Sequence, residues 1–136
     1  MSALQDFLNA HPVDNLTEEV IISDRFKDKE GNLLRFKIKA MSSGEFEEIR
    51  KKSTTVRKGG KVEMDLQKFQ SSIVISQTLE PDFKHAESIA KLGCLNPEEY
   101  LNKVLLPGEV SELVTRIQQL SGFDRDMSDL VAEAKN

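Results

Sequence analysis

The spacing of apolar residues changes period once along this chain, from helix to strand and back. Leu4, Phe7 and Leu8 recur at i, i+3 and i+4, which predicts a short helix over residues 2–10. His11-Pro12 closes it, because a proline disfavours helix in the residue before it. Residues 13–17 read as a linker. The period then falls to two. Val20, Ile22 and Phe26 share one parity, and beyond the polar connection Lys27-Asp28-Lys29-Glu30-Gly31-Asn32 the apolar Leu34, Phe36, Ile38 and Ala40 alternate with Arg35, Lys37 and Lys39. An antiparallel hairpin with one buried and one wet face is expected, giving a β-rich segment over 18–41.

From residue 42 onward the pattern is helical. Ser42 and Glu45 have the spacing of a capping box. Acids lead and bases trail in the helix that follows, which suits the helix dipole, and Glu47–Lys51 and Glu48–Lys52 are i, i+4 pairs. Residues 53–64 carry Gly59-Gly60 between short polar arms and read equally as a two-residue hairpin or a mobile loop. A helix is expected over 65–78 with Asp65 as its cap, although Ile73-Val74-Ile75 is β-branched and compatible with a buried strand. A short helix closed by Gly93 follows. Asn96-Pro97-Glu98-Glu99 and Leu106-Pro107-Gly108-Glu109 then open two more, the second carrying the stripe Val110, Leu113, Val114, Ile117 and Leu120. Met127, Leu130, Val131 and Ala134 make a last amphipathic stripe. The expected architecture is α+β: an N-terminal antiparallel β-hairpin or small sheet, then a mainly helical half over 42–136, in a single domain spanning 1–136.

Composition narrows the function. The chain has 136 residues, 38% of them hydrophobic, and a formal charge of −4, so a packed core is within reach and a basic nucleic-acid footprint is absent. No apolar run approaches a membrane span, and a single cysteine suits a reducing compartment, so a soluble cytoplasmic protein is expected. His11, His85 and Cys94 are scattered, without metal-ligand spacing. Cys94 is expected to be a small buried residue. Glu98-Glu99 sits where a helix start favours acids, Asp124 and Asp126 fit capping, and Gly59-Gly60-Lys61 lacks the setting of a phosphate loop. The expectation is therefore a non-enzyme without cofactor or metal, working through apolar surface. Two surfaces are candidates for a partner. One is the hairpin edge carrying Leu34, Phe36 and Ile38, open to an added strand; the other is the terminal stripe of Met127, Leu130, Val131 and Ala134, too short to be stable undocked. The row Arg35, Lys37 and Lys39 reads as a solvated face.

Several motifs taken together resemble the XkdN-like phage tail assembly chaperones: Glu80-Pro81-Asp82-Phe83, the Gly93-to-Pro97 junction, Leu105-Leu106-Pro107-Gly108-Glu109, Gly122-Phe123-Asp124 and the terminal Ala134-Lys135-Asn136, in that order. The resemblance spans most of the chain. It implies a protein that holds the long, apolar tape measure protein soluble while tail tube subunits polymerise around it. Such a protein acts in the host cytoplasm and is absent from the finished virion. The tape measure protein is the implied partner, with the tail tube protein and a second copy of the chain as further ones; nucleic acid and membrane are not expected. Phage tail chaperones often come in a short and a frameshifted longer form. Ala134-Lys135-Asn136 can be encoded by a run of adenines on which a ribosome slips back one base, so a −1 product is expected. The competing readings are a structural tail component, such as a tube or completion protein, and a small protein-binding regulator.

Overall fold

The computed structural model describes residues 2–123. Its elements alternate in the expected order. A first helix, α1 (Ala3–Ala10), and a 3-10 turn (Val13–Asn15) lead into β1 (Thr17–Val20) and β2 (Phe36–Lys39). There follow α2 (Ser43–Lys52), β3 (Thr54–Val56), β4 (Val62–Met64), α3 (Leu66–Gln77), β5 (Thr78–Glu80), α4 (Ala86–Lys91), α5 (Pro97–Val104) and α6 (Pro107–Leu120). The architecture is α+β, with a small antiparallel sheet at the N-terminal end and helices dominating the rest.

Local chemistry explains most boundaries. The Ser42 hydroxyl accepts from the Glu45 amide at 3.1 Å while the Glu45 carboxylate accepts from the Ser42 amide at 3.0 Å, a complete capping box. Asp65 caps α3 and Asn96 caps α5 through the amides of Lys68 and Glu99. At the end of α4 the chain turns into the left-handed region at Gly93 (φ 71°); its amide donates to Ala90 O, and that of Cys94 to Ile89 O. Both orphan carbonyls are satisfied in this way. Gly93→Ala places a Cβ in open space but at an unfavourable φ. It should therefore cost about 1 kcal/mol, read by urea denaturation, with no change in the slope.

The hairpin differs from expectation in extent. β1 ends at Val20, and residues 21–35 leave the ladder before β2 begins. Their tip is still a turn: the Asp28 carboxylate accepts from the amides of Glu30 and Asn32 at 2.8 and 2.9 Å, and Leu34 N–H donates to Phe26 O. Asp24 and Arg25 are the reason for the break, since Arg25 is drawn away to α6. The register pairs Val20 with Phe36 and Thr17 with Lys39.

β2 is the central strand, not an edge. The sheet order is β1-β2-β5, and Lys37 pairs with Glu80. The three-residue strand Thr78–Glu80 continues directly from α3 and closes the edge that the sequence leaves open. Segment 53–64 is an antiparallel ribbon, Thr54 opposite Met64 and Val56 opposite Val62. Its turn needs Gly59 at φ 91°.

The core lies where the sheet meets the helices. Phe36, Ile38 and Ala40 are buried from β2, and α3 sits at the centre, packed by α2, α5 and α6. Ile73 and Val74 of α3 meet Leu101 of α5 and Leu113 and Ile117 of α6 in one continuous cluster. The β-branched run therefore belongs to a helix buried on most sides. Gln77, fully buried, donates its amide to Ala40 O at 3.0 Å and so ties the end of α3 to the end of β2. The Ser121 hydroxyl accepts from Met41 N–H at 2.9 Å and does the same for α6.

Candidate functional site

Among the described residues, two of the apolar surfaces this packing leaves uncovered gather several large side chains each. The first is a groove of about 480 Å³ at the end of the sheet where β2 meets β5 and α5. Phe36, Phe83 and Leu105, all buried, form its floor; Phe26, Tyr100 and Val104 form walls, with Arg35 and Glu80 among the lining residues. The aromatic rings hold one another in place. Phe26 and Phe36 meet edge to face at 4.9 Å, and Phe83 and Tyr100 lie tilted at 6.2 Å. Pro81 lines the groove and has no backbone N–H with which to extend β5.

The second surface is α1. Ser2 caps it, yet none of its residues is buried. Leu4, Phe7 and Leu8 are 68, 56 and 57% exposed on one face, and Leu16 at the foot of the arm is 52% exposed. The His11 ring stacks on Phe7 at 4.4 Å, with Nδ1 3.1 Å from Phe7 O. An eight-residue helix is marginal in water by itself, so a wet apolar face on one marks a place for another molecule.

An ion pair joins the loop beside the groove to α6. Arg25 reaches across to the start of α6, where its Nε and Nη2 donate to the Glu109 carboxylate at 2.9 and 2.7 Å and Nη2 also donates to Val104 O at 2.8 Å. Glu109 accepts in addition from the Leu106 amide at 2.8 Å. The bidentate Arg25 contact is the main cause that holds the Glu109 carboxyl down at about 2, against a smaller opposing push from burial. Loop 21–35, which supplies Phe26 and Leu34 to the groove, is thereby clamped to α6.

The residues expected from sequence divide three ways. Leu34 is half exposed and lines the groove. Phe36 forms its floor at 4% exposure, and Ile38 is fully buried in the sheet, so neither stands on an open strand edge. The physical reason is β5: once it pairs with β2, both sides of β2 are occupied and its apolar face turns into the core. Met127, Leu130, Val131 and Ala134 lie outside the described residues. Sequence reasoning missed Phe26, Phe83, Tyr100 and Val104, which come from three separate segments, the last two both from α5. It saw the stripe of α1 but gave it no role, although its shortness and its separation by Pro12 were the signal.

No group of three or more His, Cys, Asp or Glu side chains able to hold a metal occurs among the described residues. His85 caps α4, its Nδ1 2.8 Å from the Ser88 hydroxyl. Cys94 is half-buried, with Sγ 3.9 Å from Leu92 O, and not the enclosed core residue expected, because the glycine-terminated end of α4 carries it to the surface. No described helix is long and apolar enough to cross a membrane.

The described residues form a small α+β domain with an apolar groove and an amphipathic arm whose apolar face is exposed. The chain belongs to the XkdN-like phage tail assembly chaperones, whose family model matches residues 4–135. It is 35% identical to the protein YqbN of Bacillus subtilis strain 168 and 32% identical to XkdN of the phage-like element PBSX in the same organism. Each alignment covers 98% of this chain and 93% of the relative. The crystal structure of YqbN superposes with a TM-score of 0.71 at 32% identity, covering 91% of this chain and 99% of that one. The family is one of assembly chaperones and not of enzymes.

Proposed function

We propose that this protein binds the tape measure protein in the cytoplasm of the bacterial host and keeps it soluble until the tail tube assembles around it. Family membership supports the assembly role, and one observation carries the reading to a client: large apolar side chains stand in water at α1 and around the Phe83–Tyr100 groove. A holding chaperone needs such surface, because it must compete with a client's own aggregation. In this reading Leu34 is a client contact, the terminal stripe of Met127, Leu130, Val131 and Ala134 is a second one, and Phe36 and Ile38 serve by supporting the groove. The tail tube protein is the further partner, met as the tape measure is handed over.

The experiment is co-production with the tape measure protein of the same element. The client should be soluble only with this chain present, and purified tails should lack the chain. A stoichiometric amount in mature particles would overturn the reading in favour of a structural tail component. Leu34→Asp changes a half-exposed residue and should leave stability within about 0.5 kcal/mol, while the soluble client falls several-fold.

A longer −1 frameshifted form is part of the same proposal, resting on Lys135-Asn136. Its test is the gene: a run of adenines across these codons and an open −1 frame beyond them are expected, and codons that interrupt the run would remove the idea.

A further inference from the structure

The β3–β4 ribbon has an uncovered face of its own. Its register puts Thr54, Val56, Val62 and Met64 on one side and Thr55, Arg57, Lys61 and Glu63 on the other. Val56, Val62 and Met64 are exposed, as is Leu66 at the start of α3. A two-stranded ribbon is marginal in water unless a further element covers its apolar face. Helix α1 is an uncovered apolar face of matching length. Its eight residues rise about 12 Å, and the three-residue strands of the ribbon run about 10 Å. Within the described chain neither covers the other, since α1 and β4 bury no residue.

The two faces belong to segments of opposite charge. Residues 2–24 hold Asp6, Glu18, Glu19 and Asp24 and no lysine or arginine. Residues 49–62 hold Arg50, Lys51, Lys52, Arg57, Lys58 and Lys61 and no acid. Arg50 and Arg57 pair with Glu47 and Glu63, and the four lysines have no ion-pair partner among the described residues. Arm against arm, or ribbon against ribbon, therefore repels, while arm against ribbon attracts.

We propose that α1 of one copy lies across the β3–β4 ribbon of a second, and that the second returns the contact, giving a two-fold dimer. Area selects the reciprocal form. Leu4, Phe7 and Leu8 with Val56, Val62, Met64 and Leu66 offer on the order of 600 Å² to one contact, about half of what a stable pair of proteins buries. Two contacts related by a two-fold axis reach about 1,200 Å². The dimer goes beyond the client reading and does not depend on it; a client that takes α1 competes with the second copy.

Sedimentation equilibrium of the chain alone tests this. Wild type should dimerise. Leu4→Lys/Leu8→Lys sets bases against the ribbon, and Val56→Glu/Val62→Glu sets acids against the arm; each should weaken the dimer by about tenfold or more. Mixed, the two variants should pair one to one, because one contact is then wild type and the other joins lysine to glutamate. All four positions are exposed, so melting temperatures should stay within about 2 °C of wild type. A second measurement uses cysteines: in a Cys94→Ser background, Leu8→Cys/Val62→Cys should oxidise to a disulfide that joins the two positions between chains. A monomeric wild type, a variant that dimerises as tightly as wild type, or a mixture that stays monomeric overturns the proposal. So does a disulfide confined to one chain, which would lay the arm on its own ribbon.

Discussion

Arg25→Ala is expected to destabilise the protein more than Glu109→Gln, which should cost about 2 kcal/mol. The order follows from burial. Glu109 is 5% exposed and Arg25 45%. Removing the arginine strands a buried carboxylate, whereas the neutral glutamine still offers an acceptor to the Leu106 amide. The same pair sets an acid limit. The Glu109 carboxyl titrates at about 2 in the fold against 4.5 ordinarily. Its stabilisation is complete above the unfolded value and is lost as pH falls from about 4.5 toward 2. The loss over that window should be about 2 kcal/mol, discounted from the full linkage value because half-exposed Arg25 is screened by solvent. Urea midpoints at pH 6, 4 and 2.5 measure it. Wild type should fall more steeply than Glu109→Gln, and parallel curves would show that the pair contributes nothing. Because the pair also clamps loop 21–35, Arg25→Ala should weaken client holding even at neutral pH, where the protein remains folded.

Phe7→Asp together with Leu8→Asp should act in the opposite sense, on function and not on stability. Both residues are more than half exposed and nothing in the core leans on them. The melting temperature should therefore move by no more than about 2 °C. Soluble client in the co-production assay should fall by about tenfold, since two large side chains central to a binding face contribute most of its energy. Retained client solubility would remove α1 from the contact surface and leave the aromatic groove to carry it. A fall in melting temperature of the size seen for core residues would instead show that α1 docks on its own domain.

The two periodicities and the caps were legible because they are local. A spacing of i, i+3, i+4 at Leu113, Val114 and Ile117, or of two at Phe36 and Ile38, reports burial of a face whatever packs against it. The capping box at Ser42 and the cap at Asn96 report a helix start from residues four apart or fewer. The hairpin was legible in its register-setting strand and turn but not in its extent, because what ends β1 at Val20 is the pull on Arg25 from a carboxylate 84 residues away. The binding surfaces were legible least. Leu34 was seen, but Phe26, Phe83, Tyr100 and Val104 become a site only when three segments converge. Ile38 showed the converse failure: alternation marks an apolar face without saying whether the neighbouring edge is free.

What the amino-acid order determined alone is the helices, the β1–β2 pair, their buried faces and the family, since each rests on near neighbours or on motifs in sequence. Tertiary structure decided which edges and faces stay open. Thr78–Glu80 is too short to show a period, and it becomes a strand only because β2 presents unpaired backbone groups beside the end of α3. That one pairing buries Ile38 and ends at Pro81. It leaves the groove and the arm among the exposed apolar surfaces of the described residues. Pairing partners distant in the chain have no local signature, and the exposure of a face depends on them.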